Sequence, residues 1–168
     1  MNDQELAGVL KRCSLHSLLI VTSQALSRAG FGDVQLLDRR QSKQKSRFGG
    51  HELLCEGTIG GMPFRVIVKV IQDSVRLRML DELAGSVRRT NADMGLIVSP
   101  HGLTANAAKH LSSYTPMRLE AIAGRTFSEL LSRYHIGVRS RGEVDYAFFG
   151  ELESASLRLI SFLKNNHV

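Results

Sequence analysis

The first residue of this chain to suggest chemistry is a lysine on an otherwise apolar strand. From Phe64 to Ile71 the side chains alternate, with Phe64, Val66, Val68 and Val70 on one face and Arg65, Ile67, Lys69 and Ile71 on the other. Both faces are mostly apolar, so the strand reads as central. An ammonium in a covered sheet costs free energy unless a partner or a water-filled cleft meets it. A second concentration of function lies between positions 39 and 47, where Arg39, Arg40, Lys43, Lys45 and Arg47 stand without an acid. They account for most of the net charge of +6 and leave +1 for the rest of the chain. A patch this local suits phosphates, although a solvated Ser/Gln/Lys linker has the same composition. Cys13 and His16 share helical spacing, but two ligands make a poor zinc site and ordinary packing explains them. Ser99, His101 and Asp93 supply the residue types of a hydrolytic triad without a nucleophile elbow around the serine. Gly49-Gly50 and Gly60-Gly61 lack the Lys-Ser ending of a phosphate-binding loop and read as turns.

The elements that must position these residues are legible from periodicity. Asn2 and Glu5 have capping-box spacing for a helix carrying Leu6, Val9, Leu10 and Cys13. Leu15, Leu18, Leu19, Thr22, Leu26 and Ala29 recur at helical spacing and stop at Gly30, where a left-handed cap belongs. Asp33 to Leu37 reads as a strand entering the basic segment. Residues 51–58 and 64–71 form a hairpin around Gly60-Gly61-Met62-Pro63, with Pro63 opening the return strand. Then the rhythm alternates. Leu77, Leu80, Leu83, Ala84 and Val87 stripe a helix, and 95–98 is a buried strand. Thr104 caps the helix of 105–111, 117–122 is a strand, and Thr126 with Glu129 predicts a capping box for a helix through Tyr134. A hairpin followed by βαβ units predicts an α/β fold with a mixed sheet. Residues 139–150 read as a connector to a last helix striped by Leu152, Ala155, Leu159, Phe162 and Leu163. That stripe must bury itself on the domain or on a second copy.

Length and composition bound the rest. A chain of 168 residues, 43% hydrophobic and 23% charged, is an ordinary globular domain. It is long enough to need no disulfide or metal staple. Its two cysteines, Cys13 and Cys55, suit a reducing, cytoplasmic setting. No run is apolar enough to span a membrane, and the acidic start is unlike a signal peptide.

The ordered set of local strings resembles the Mrr-type restriction endonucleases of the PD-(D/E)xK nuclease superfamily. The resemblance runs from about Leu15 to Val138. It comprises Ala29-Gly30-Phe31-Gly32-Asp33-Val34, Gly49-Gly50, Val66-Ile67-Val68-Lys69, Glu82-Leu83-Ala84-Gly85, Gly95-Leu96-Ile97-Val98-Ser99, Gly102-Leu103-Thr104, and residues 130–138. It implies a restriction-endonuclease-like three-layer sandwich, a mixed sheet flanked by helices, over 1–138. Residues 139–168 would add the connector and the amphipathic helix. It also implies a magnesium site built from a carboxylate on the second strand and a Gln or Glu two residues before a third-strand lysine. Residues i and i+2 of a strand point into one cleft, where the cation meets the scissile phosphate.

Carried onto this sequence, Glu52 takes the carboxylate and metal-ligand position and Lys69 the lysine position. Ile67 stands where the Gln or Glu is expected, and Leu19 falls near the position of a further helical acid. A migrated acid would be Glu82 or Asp81 on the following helix, or Glu56 on the Glu52 face. The reading that follows is a DNA-binding or other nucleic-acid-binding protein that contacts phosphates through the basic segment and cleaves poorly or not at all. Two alternatives stay open: an active magnesium-dependent endonuclease, and a non-catalytic scaffold or regulatory subunit binding a protein partner. A homodimer through 151–165 is the expectation for the last helix, since such nucleases act on two strands in pairs.

Overall fold

A computed structural model of the chain describes residues 3–37 and 50–165. Arg39, Arg40, Lys43, Lys45 and Arg47 lie outside the described residues, as does Asn2 of the expected first capping box. The elements are α1 (Asp3–Leu10), α2 (Leu15–Arg28), β1 (Asp33–Leu36), β2 (His51–Ile59), β3 (Met62–Val70), α3 (Leu77–Thr90) and β4 (Met94–Ser99). They continue with α4 (Ala105–His110), a 3-10 turn (Leu111–Tyr114), β5 (Arg118–Ala123), α5 (Arg125–Arg133) and α6 (Tyr146–Asn165). The five strands form one sheet in the order β1-β2-β3-β4-β5, antiparallel as far as β3 and parallel from β3 to β5. β3 is the central strand.

Two apolar layers sandwich this sheet. Leu53, Cys55, Val66, Val68, Val70 and Val98 face a core completed by Leu6, Leu10, Leu18, Val21, Phe127 and Leu131 from α1, α2 and α5. The opposite face presents Ile67, Ile71 and Ile97 to Leu80, Leu83 and Val87 of α3. The hairpin between β2 and β3 is tighter than its sequence suggests. Gly60 and Gly61, at φ 59° and 82°, make the whole turn, and Met62 rather than Pro63 opens β3. Two consecutive left-handed residues are the geometry of a type I′ turn, whose twist matches that of the strands.

Two helix starts differ from expectation. α5 begins at Arg125 because only Gly124 separates it from β5. Thr126 Oγ1 then accepts from Ala123 N at 2.9 Å, and Glu129 pairs with Arg125 at 2.8 Å, so no capping box forms. α6 begins at Tyr146, earlier than the stripe suggests, because the Asp145 carboxylate accepts a hydrogen bond from Phe148 N at 3.2 Å. The buried face also differs from the expected stripe. Phe149 and Ser156 are buried, Leu152 is half-buried, and Ala155 is exposed. Ser17 and Ser156 share a buried hydrogen bond of 3.1 Å, and Ser14 N donates to Glu153 Oε1 at 2.8 Å, so α6 docks on α2. No helix among the described residues is long and apolar enough to cross a membrane.

Candidate active site

The alternation of β3 sends Lys69 to the α3 side of the sheet, between Ile67 and Ile71. Its side chain is 1% exposed. The antiparallel register sets Glu52 of β2 directly opposite Lys69 of β3, so both side chains rise from the same face. The Glu52 Oε1 oxygen lies 3.7 Å from Lys69 Nζ. α3 comes down over this pair because β4 carries a glycine beneath it. A methyl group at Gly95 would stand 2.7 to 2.9 Å from Leu119, Leu83 and Val87, so any larger residue would push the helix away. At that distance Glu82 of α3 reaches Lys69 Nζ with its Oε2 at 2.6 Å. One ammonium thus faces two carboxylates, from β2 and α3. Those carboxylates keep part of their surface in solvent, 15% for Glu52 and 27% for Glu82.

Two further residues join the cluster from α3. Ser86, 2% exposed, donates its hydroxyl to Glu52, with both carboxylate oxygens at 2.9 Å. Arg89 Nη2 donates to Ser86 Oγ at 2.8 Å. Neither residue stood out in the sequence. The available signal was their spacing of four and then three residues from Glu82, which puts all three on one stripe of the helix.

The remaining candidates lie elsewhere. Glu56 is four residues farther along β2, roughly 13 Å at strand rise, and pairs with Arg65 Nε at 2.7 Å. Asp81 points away from the cluster and accepts from Tyr114 Oη at 2.6 Å; burial and this bond push the Tyr114 phenol above its ordinary range. Leu19 packs in the α2-side core, across the sheet from Lys69, so a helical acid at that position would face away from the ammonium. Ile67 is wholly buried in one cluster with Leu80, Leu83 and Ile97.

The other chemistries read from residue type dissolve into structure. Ser99 Oγ donates to the Asp73 carbonyl at 2.7 Å and accepts from His101 N at 3.0 Å, which fixes the turn after β4. Asp93, at the other end of that strand, accepts from Arg65 N at 2.7 Å. The Cys13 thiol is pushed up to about 11, chiefly by burial and then by Glu153, while burial and then Asp33 push Cys55 up to about 12. His16 meets His51 edge to face at 5.3 Å. No group of three or more His, Cys, Asp or Glu side chains among the described residues is arranged to hold a metal.

A hard cation of the magnesium type asks for less. It is held by one or two carboxylates, with waters and substrate oxygens filling the other positions. Glu52 and Glu82 supply two partly exposed carboxylates of that donor type, side by side at the Lys69 ammonium.

Comparison with known proteins bears on the fold. The restriction endonuclease family model Mrr_cat matches residues 10–131. Among solved structures, the MspJI restriction endonuclease in complex with a 27-mer oligonucleotide is 13% identical, with a TM-score of 0.57, over 89% of this chain and 34% of its own. The DNA modification-dependent restriction endonuclease AspBHI is 16% identical, with a TM-score of 0.56, over 91% of this chain and 40% of its own. The chain therefore spans between a third and two fifths of these longer proteins. No curated protein matches it. Strand order, helical layers and a family match covering most of its length together make this chain a member of the Mrr-type restriction endonuclease family.

Proposed function

We propose that the chain is a magnesium-dependent DNA endonuclease in which Glu82, on α3, supplies the acid that Ile67 does not. The observation that carries this reading is the convergence of Glu82 Oε2 and Glu52 Oε1 on Lys69 Nζ, at 2.6 and 3.7 Å. A carboxylate two residues before the lysine would occupy the same side of β3. Glu82 approaches that side from the helix above, so the donor set is kept while its position in the sequence changes. Magnesium, when bound, supplies screening of the phosphoryl charge and a more acidic water. The chain's own residues do the rest. Glu52 and Glu82 hold the cation, and Lys69 donates to a phosphate oxygen or to the attacking water as negative charge develops. The basic segment gathers the DNA backbone by charge, with no preference for sequence.

A second reading, DNA binding with cleavage impaired, draws on the buried Ile67 and on the ammonium already matched by carboxylates. Plasmid nicking separates the two. With magnesium or manganese, wild-type protein nicks supercoiled DNA, while Glu82→Gln and Lys69→Met each reduce the rate by at least about a hundredfold, in line with general acid–base and electrostatic contributions. Wild type that binds duplex but never nicks it returns the protein to the impaired reading. Protein that neither binds nor nicks leaves the scaffold role.

A further inference from the structure

The cluster contains a hydroxyl and a guanidinium that the proposed chemistry does not use. Ser86 is buried in α3, and its hydroxyl oxygen lies 2.9 Å from each of the two oxygens of Glu52, to which it donates. Arg89, one turn on, donates to the same Ser86 oxygen at 2.8 Å. Because Arg89 occupies the acceptor side of that oxygen, the hydroxyl hydrogen is directed to Glu52. The side chain of Arg89 folds back along the helix over Gly85, where an added methyl group would stand 3.1 Å from Nη1. A glycine in a helix interior is unfavourable relative to alanine. Here it leaves room for the guanidinium to reach Ser86.

We infer that Ser86 and Arg89 are positioning residues for Glu52, a relay that fixes its carboxylate where it meets the cation beside Lys69. The inference rests on the reading of Glu52 and Glu82 as metal ligands and adds what orients the first of them. Without the relay, Glu52 retains rotamers that swing it toward solvent. The cation then binds a carboxylate that must first be ordered, and outer-shell partners of this kind are worth about 10- to 100-fold in metal affinity.

Manganese binding, followed by the loss of the free-ion electron paramagnetic resonance signal, tests the inference without reference to cleavage. Ser86→Ala is expected to weaken manganese binding at least about tenfold, Ser86→Thr to restore it, and Arg89→Met to fall between them. A melting curve for each variant separates this from loss of fold. Wild-type affinity in Ser86→Ala overturns the relay and leaves the metal site standing. Weakened binding that Ser86→Thr fails to restore, together with a lowered melting midpoint, assigns Ser86 to packing and also overturns it. Wild type that binds no manganese overturns the relay and the metal site together.

Discussion

An ammonium at 1% exposure survives because its two carboxylates replace the water it has lost, and removing either would leave the buried charge only one of its two partners. The alternation along β3 is enough to single out Lys69, since a period of two needs no knowledge of the rest of the fold. Ile67 illustrates the opposite case. By sequence position it is an acid that has been replaced, whereas in the folded chain it is a fully buried aliphatic side chain facing Leu80 and Leu83. Ile67→Glu is therefore expected to destabilise rather than repair the protein. Loss of the aliphatic packing and burial of a carboxylate should together cost about 3 kcal/mol or more. For a domain of this size that is a fall in melting midpoint on the order of 10 °C, read by circular dichroism. A midpoint within about 2 °C of wild type would mean that the site has space for an acid on β3 after all. The part of Glu82 was not fixed by spacing alone. It lies thirteen positions after Lys69, beyond a turn and the start of α3, and its reach depends on how closely Gly95 lets α3 approach the sheet.

Helix phase decides the next scale. α3 presents Leu80, Leu83 and Val87 to the sheet, which leaves Glu82, Ser86 and Arg89 on the adjoining stripe over β2. The apolar stripe was readable from sequence; the polar stripe beside it acquires meaning only when β2 is known to lie beneath. α6 departs from the sequence reading in start and in face. Asp145 stands before Tyr146 as an N-cap, whereas the apolar pattern beginning at Leu152 puts the start several residues late. The same pattern includes Ala155 by residue type, while the small polar Ser156 is the residue buried against α2. The cap also makes a pH prediction. The backbone N–H of Phe148, ahead of Arg139, holds the Asp145 carboxyl below its ordinary value of 3.8. A carboxyl lowered in the folded state stabilises the fold above its unfolded pKa and loses that contribution as pH falls through the folded value. Asp145→Ala should thus melt below wild type near neutral pH, and the gap should close as the pH is taken below 3.8. A gap that stays constant through that range would show that the aspartate acts by shape and not by charge.

Across the whole molecule, both faces of the sheet are packed with apolar side chains, and only one of them also carries the Glu52–Lys69–Glu82 cluster. α1, α2, α5 and the start of α6 close the first face, with the buried Ser17–Ser156 bond joining α2 to α6. α3 both covers the second face and completes its polar cluster. That division was legible as an order of elements, because a hairpin followed by βαβ units admits few right-handed arrangements. Charge is divided just as unevenly. The chain carries +6, and the five cations of positions 39–47 supply all but +1 of it. If those cations meet phosphates, the salt dependence of DNA binding belongs to them and not to the cluster around Lys69. Changing Arg39, Arg40, Lys43, Lys45 and Arg47 together to Gln should flatten the slope of log affinity against log salt by about 4, since each phosphate neutralised on duplex DNA contributes roughly 0.9. Manganese binding at the proposed Glu52–Glu82 site should stay as in wild type, because those residues belong to β2 and α3. Fluorescence anisotropy of a labelled duplex at a series of salt concentrations reads the slope directly. An unchanged slope would reduce the segment to a solvated linker and require the protein to hold DNA by other cations.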